Sequence, residues 1–229
     1  MIPIDGIPEV VPGDRIADLL AAAAGDTFLA GDVVVVTQKI VSKAERRLVA
    51  LDASDPAAAK KLVERESVRV VRRRGDLIIS ETTHGFVCAN AGVDLSNVPE
   101  GYAALLPVDA DRSARRIRDG LRARLDLELA VIVSDTFGRP WRRGLTDVAI
   151  GVAGIAAVVD LRGNEDAGGR TLQVTEVAVA DEIASAAELV MGKASGVPVA
   201  IVRGVDRGWL REGSVRTEVV RPHAEDLFR

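Results

Sequence analysis

Asp32 opens a run of four valines, Val33 to Val36, and Thr37-Gln38-Lys39 follows at once. Four consecutive β-branched side chains are stiff at χ1 and pack well on a pleated surface, so this run predicts a buried strand. A strand of that kind needs an apolar core around it. Aromatic residues make up only 3% of the 229-residue chain, so that core must be built from Val, Ile, Leu and Ala. A chain this long can bury roughly 70–75% of its unfolded surface, enough for one domain over residues 1–229 or two small interwoven lobes.

Other segments are read in the same way. Pro12-Gly13-Asp14 predicts a turn, with Asp14 capping a helix whose Ile16, Leu19, Leu20 and Ala23 share a face. Residues 55–74, rich in Ala, Lys, Glu and Arg, predict an exposed helix. Strands are expected at Leu77–Glu81, Phe86–Ala89, Leu129–Ser134 and Pro198–Val202, and helices at Ser113–Leu125 and 178–191. From Leu145 to Val159 the small apolar residues predict tight packing. Mixed strands and helices argue for an α/β or α+β protein.

Composition excludes several function classes. The net charge is −4, from 30 basic and 34 acidic residues, and gives no reason to expect a nucleic-acid partner. The one cysteine, Cys88, forms no internal disulfide and reads as buried filler in a reducing compartment. No leader peptide and no apolar run near ~20 residues is visible, so neither a membrane nor secretion is expected and the reading is cytoplasmic.

Four segments carry polar chemistry at places where strands or helices end. Thr37 to Lys43 follows the valine strand with Gln38, Lys39 and Lys43, a candidate phosphate or nucleotide site whose alternative is a solvated helix start. Asn90-Ala91-Gly92-Val93-Asp94-Leu95-Ser96-Asn97 offers hard oxygens suited to Mg²⁺ or Mn²⁺, or else a simple Asx turn. In Val131 to Gly144 an apolar strand is expected to end in Asp135-Thr136, with Arg139, Arg142 and Arg143 following within eight residues. Carboxylate, hydroxyl and guanidinium groups together suit metal-assisted phosphoryl transfer, whereas the alternative is a helix cap followed by surface arginines. Met191-Gly192-Lys193-Ala194-Ser195-Gly196-Val197 is a glycine-rich helix exit with one lysine, a weaker candidate of the same kind. The Walker pattern fails, since Ala187 stands five residues before Gly192 and Ala194 follows Lys193, and no Rossmann glycine pattern or zinc motif appears.

Gly31 to Glu45, Asn90 to Val98, Ser134 to Arg139 and Val179 to Ala184, in this order, resemble the coenzyme F420-0:L-glutamate ligases from about Ile7 to Arg203. The resemblance implies an α+β fold of mixed sheets with flanking helices, usually an intertwined homodimer. It implies GTP-dependent addition of one or more L-glutamates to the lactyl-phosphate tail of coenzyme F420-0, with Mg²⁺ or Mn²⁺ and with K⁺. It places one metal on Asp94 and Asp135 and a second beside Thr136. It places GTP against Ile7, Pro8, Glu9, Val10, Gln38, Lys39, Lys43, Asn97 and the turn from Met191 through Gly192, Lys193, Ala194, Ser195 and Gly196 to Val197. Two positions depart from the pattern: Lys193 stands where archaeal members place a glutamate ligand for the second metal, and Arg46 where many members have glycine. At 229 residues the sequence is expected to lack the flavin-binding domain of two-domain relatives, either as a free-standing enzyme or as an excised domain. The competing readings are a metal-dependent phosphohydrolase and a non-catalytic deazaflavin or nucleotide carrier.

Overall fold

The computed structural model describes residues 1–228. Its centre is a five-stranded sheet in the order Ile2–Pro3, Val199–Val202, Val33–Thr37, Ala130–Arg139, Arg142–Ala153. Val33–Thr37 runs parallel to Ala130–Arg139, with Val33 opposite Ala130 and Thr37 opposite Ser134, and the other pairings are antiparallel. Successive side chains on a strand point to opposite faces, which explains why all four valines are apolar. Val34 and Val36, with Val131, Val133, Val199 and Ile201, pack under helices Ile16–Ala24 and Ala110–Leu125 through Leu20, Ala114, Ile117 and Leu121. Val33 and Val35, with Ala130, Ile132 and Ala200, pack under helix Val179–Met191 through Ile183, Ala184, Ala187 and Met191. Gly151 lets the start of the Ala110–Leu125 helix approach the sheet, since a Cβ there would lie 2.2 Å from the Ala110 carbonyl carbon.

Smaller units flank this layer. Helix Ala58–Glu66, the antiparallel sheet of Ser67–Arg74, Leu77–Thr82 and Val87–Ala89, and the pair Leu48–Ala50 with Tyr102–Ala104 carry two small apolar clusters of their own around Leu62 and Ile78. The protein is thus α+β, with mixed sheets and flanking helices. Among the described residues no helix is long and apolar enough to cross a membrane.

Three expectations change. Residues 55–74 are half helix and half strand: Val68, Val70 and Val71 favour the extended chain, and Gly75-Asp76 turns it back so that Arg74 pairs with Leu77. Asp14 does not cap the first helix; its Oδ2 accepts from Val11 N at 2.8 Å and closes the preceding turn. The strand expected to stop at Ser134 continues to Arg139, because it pairs with Arg142–Ala153 along its whole length.

Arg46 holds the left-handed turn that glycine would favour, at φ 60, with its amide donating to Lys43 O at 3.2 Å. A side chain in that region costs about 1 kcal/mol. Arg46→Gly is therefore expected to raise stability by about 0.5–1 kcal/mol and Tm by about 1–4 °C in a thermal melt. An unchanged or lower Tm means that Arg46 makes compensating contacts.

Candidate active site

The polar groups gather at the carboxyl ends of the two parallel strands. Helix Gln38–Ala44 starts as soon as Val33–Thr37 ends and carries Lys39 on its first turn. Lys39 Nζ donates to Asp94 Oδ2 at 2.6 Å, to Ser96 O at 2.5 Å and to Ser96 Oγ at 2.8 Å. The loop that presents Asp94 is tightly wound: Asn90, Ala91 and Gly92 all have positive φ, and a Cβ on Gly92 would clash with Leu106 at 2.7 Å. Asp94 Oδ1 accepts from Ser96 N at 2.7 Å, so the Asx turn and the site are the same structure. Burial pushes the Asp94 carboxyl up, but the hydrogen bonds from Lys39 and Ser96 outweigh it and hold the group below its ordinary value.

Asp135 lies on the neighbouring strand, facing the same side of the sheet as Val131 and Val133. Among the described residues a single hydrogen bond, from Thr136 N at 2.8 Å, reaches its carboxylate. Burial first, and then the negative charges of Asp94 and Asp147, push it from 3.8 up to about 7. Asp94 and Asp135, 41 positions apart in the chain, are thus near enough for their charges to interact. Cys88 sits close by, and burial, with the Asp135 charge, pushes its thiol up to about 12, which suits packing and not nucleophilic attack.

Thr136 points the other way. Its Oγ1 donates to Asp147 Oδ1 at 2.6 Å across the hairpin, and Ser134 Oγ donates to Asp147 Oδ2 at 3.1 Å. Lys193, just beyond helix Val179–Met191, reaches Asp147 Oδ1 at 2.8 Å and Glu188 Oε1 at 3.0 Å, and also Thr136 Oγ1. Asp147 and Glu188 escaped the sequence reading. Asp147 lies in a stretch read as packing, and only the register that sets it opposite Thr136 reveals it.

The remaining candidates are distributed around this centre. Lys43 Nζ bonds Glu9 Oε1 at 2.5 Å, joining the helix to the segment in which Ile7 is half-buried, Pro8 exposed and Val10 buried. Gln38 is buried, and its Nε2 donates to Ser42 Oγ at 2.6 Å and to Leu105 O at 3.0 Å, so these donors brace the helix. Asn97 is exposed at φ 51. Met191 is fully buried, Gly192 to Gly196 are exposed, Val197 is half-buried, and Ser195 Oγ closes the turn onto Met191 O. Arg139, Arg142 and Arg143 do not crowd a strand end. They flank the Pro140-Trp141 hairpin tip, with Arg139 four residues past Asp135, which is about 13 Å of extended chain. All three are exposed, and among the described residues none forms an ion pair.

A cleft of about 470 Å³ opens at the opposite end of the parallel strands, lined by residues that include Gly31, Leu129, Arg118 and Arg122. Three of its arginines are engaged: Arg118 with Asp119 and Glu212, Arg122 with Glu128 and Arg211 with Glu218.

The F420-0:gamma-glutamyl ligase family matches this sequence over residues 6–204. The chain belongs to that family. It is 45% identical to a coenzyme F420:L-glutamate ligase of Methanothermobacter thermautotrophicus, with 100% of this chain and 98% of the relative covered. It is 44% identical to the ligase of the same name from Methanopyrus kandleri, covering 96% and 94%. It is 40% identical to that of Methanocaldococcus jannaschii, covering 87% and 85%. In this F420-0:gamma-glutamyl ligase family member, the acidic groups and lysines lie at one end of the central sheet.

A half-buried acid of this kind works against folding. In the folded chain Asp135 titrates at about 7 and in the unfolded chain near its usual 3.8, so between those values the folded state holds the extra proton and stability falls as pH rises. Asp135→Asn removes the charge. In metal-free urea unfolding at pH 8 the variant is expected to be more stable than the parent by on the order of 2 kcal/mol, since residual solvent access discounts the full shift. The gain should vanish near pH 4. Equal stability at both pH values excludes a raised Asp135.

Proposed function

We propose that this protein joins L-glutamate to coenzyme F420-0 through an amide bond, as a GTP-dependent γ-glutamyl ligase. The observation that carries the reading is the family match, with relatives of that printed activity aligned over the whole chain. The γ-phosphate of GTP passes to the terminal carboxylate of the F420 precursor and gives an acyl phosphate. The glutamate amine attacks that carbonyl, the C–N bond forms and phosphate leaves. Further glutamates would be added by the same cycle.

The donor chemistry fits Mg²⁺ or Mn²⁺. Among the described residues no three acidic, histidine or cysteine side chains gather to hold a metal unaided. Magnesium sites at transferred phosphates commonly use one or two carboxylates, with phosphate oxygens and water completing the shell. Asp94 and Asp135 would hold that ion, and the half-buried, under-bonded Asp135 carboxylate is the group whose charge a cation would relieve. When bound, the ion supplies charge neutralisation at the transferred phosphate. Asp94 is oriented by Lys39, and Lys39 is itself turned toward the strand ends where the triphosphate would lie. Lys43, with Glu9, and the Met191–Val197 turn frame the nucleotide side, and Arg139, Arg142 and Arg143 are free to pair with the precursor phosphodiester or the incoming carboxylates. K⁺ joins the reading from the family resemblance.

The protein works as a homodimer in this reading. Ser67–Arg74 is an open edge strand with Val68 66% exposed and Val70 and Val71 exposed beside it, a surface that a partner chain would cover. Light scattering should give a mass near twice the 24.2 kDa chain.

Incubation with GTP, Mn²⁺, L-glutamate and F420-0 should yield a product heavier by one or more glutamyl residues on mass analysis. Asp135→Asn should keep its fold and lose turnover by at least ~10²-fold. Near-normal turnover removes Asp135 from the metal role, equal use of ATP removes the guanine assignment, and phosphate release with no glutamyl product favours a phosphohydrolase.

A further inference from the structure

The two sides of the hairpin strand are bonded very differently. On the Asp147 side every strong partner is supplied by the protein. Asp147 is 2% exposed, and it accepts from Ser134 on one oxygen and from Thr136 and Lys193 on the other. The Lys193 ammonium has three N–H donors and three oxygen partners, Thr136 Oγ1, Asp147 Oδ1 and Glu188 Oε1. No ammonium N–H is left over for a phosphate, and Thr136 Oγ1, Asp147 Oδ1 and Glu188 Oε1 are each already engaged by the ammonium. On the Asp135 side the carboxylate has one backbone N–H, with the charges of Asp94 and Lys39 nearby.

We propose that Lys193 is a built-in cation: its ammonium, bound to Thr136, Asp147 and Glu188, occupies the helix side of the site, so that each chain takes one divalent ion, on the Asp94 and Asp135 side. This rests on the metal reading above and narrows it. Lys193 is a positioning residue that fixes Thr136 and Asp147 without touching the reacting atoms. Replacing it by methionine strips the charge and opens Thr136, Asp147 and Glu188 to an ion. Replacing it by glutamate adds a hard oxygen ligand as well.

The test is a nucleotide-free Mn²⁺ titration of the purified full chain, read by the electron paramagnetic resonance of free Mn²⁺. The parent chain should bind one Mn²⁺, Asp135→Asn should lose at least ~10-fold in affinity for it, and Lys193→Met and Lys193→Glu should each take up two. Circular dichroism melts confirm folding, and either Lys193 variant suffices if the other does not fold. Two Mn²⁺ on the parent chain, or one on a folded Lys193 variant, overturns the inference and leaves the metal reading standing. No Mn²⁺ on the parent chain overturns the inference, and no Mn²⁺ held by the chain when GTP is added overturns the metal reading too.

Discussion

The parallel ladder between Val33–Thr37 and Ala130–Arg139 sets the position of everything else. Parallel neighbours end on the same side of a sheet, so the chain leaving Thr37 and the chain leaving Ser134 arrive together. An antiparallel pairing of the same two strands would have put Lys39 and Asp135 at opposite ends of the molecule. The ladder is secured by burial on both faces, with valines and isoleucine under two helices on one side and one on the other. Polar chemistry begins where those valine and isoleucine layers stop, at Thr37 and Ser134.

Past that point the pleat does a second job. Asp135 and Thr136 are consecutive, so they cannot serve the same pocket; one faces Asp94 and Lys39, the other Asp147 and Lys193. An acidic residue on each side meets a lysine delivered by a helix end, Lys39 from the start of one helix and Lys193 from just past the end of another. The sides differ in how completely the acid is satisfied. Asp94 and Asp147 each have a lysine within 2.8 Å, whereas Asp135 has one backbone amide. A group left under-bonded in a buried place costs folding free energy, and such costs persist where the group has another task.

Much of this was legible in the sequence, and the misses have physical causes. The valine run and the helices at Ser113–Leu125 and 178–191 follow from periodicity. Asp147 was invisible because a lone acid in an apolar stretch has no local signature, and its meaning comes from cross-strand register. The strand Ser67–Arg74 was hidden by composition: its four arginines and the preceding Lys60-Lys61 stretch look helical, while the valines that decide the matter are few. The arginines after Asp135-Thr136 misled by closeness in number. Eight residues of a helix fold back within one neighbourhood, but the same count in a hairpin carries the side chains out to the tip.

Those tip arginines show why charge alone is a poor marker of a site. The cleft at the far end of the sheet is richer in arginine, yet three of its four, Arg118, Arg122 and Arg211, are spent on Asp119, Glu212, Glu128 and Glu218. Arg139, Arg142 and Arg143 form no ion pair among the described residues and stand in solvent about 13 Å of strand from Asp135. A small anion cannot bridge that span, whereas an extended molecule with negative charge at both ends can. The geometry therefore selects for length and charge separation in whatever lies along the hairpin. A phosphodiester tail that ends in a carboxylate has that form, and so does a triphosphate beside it.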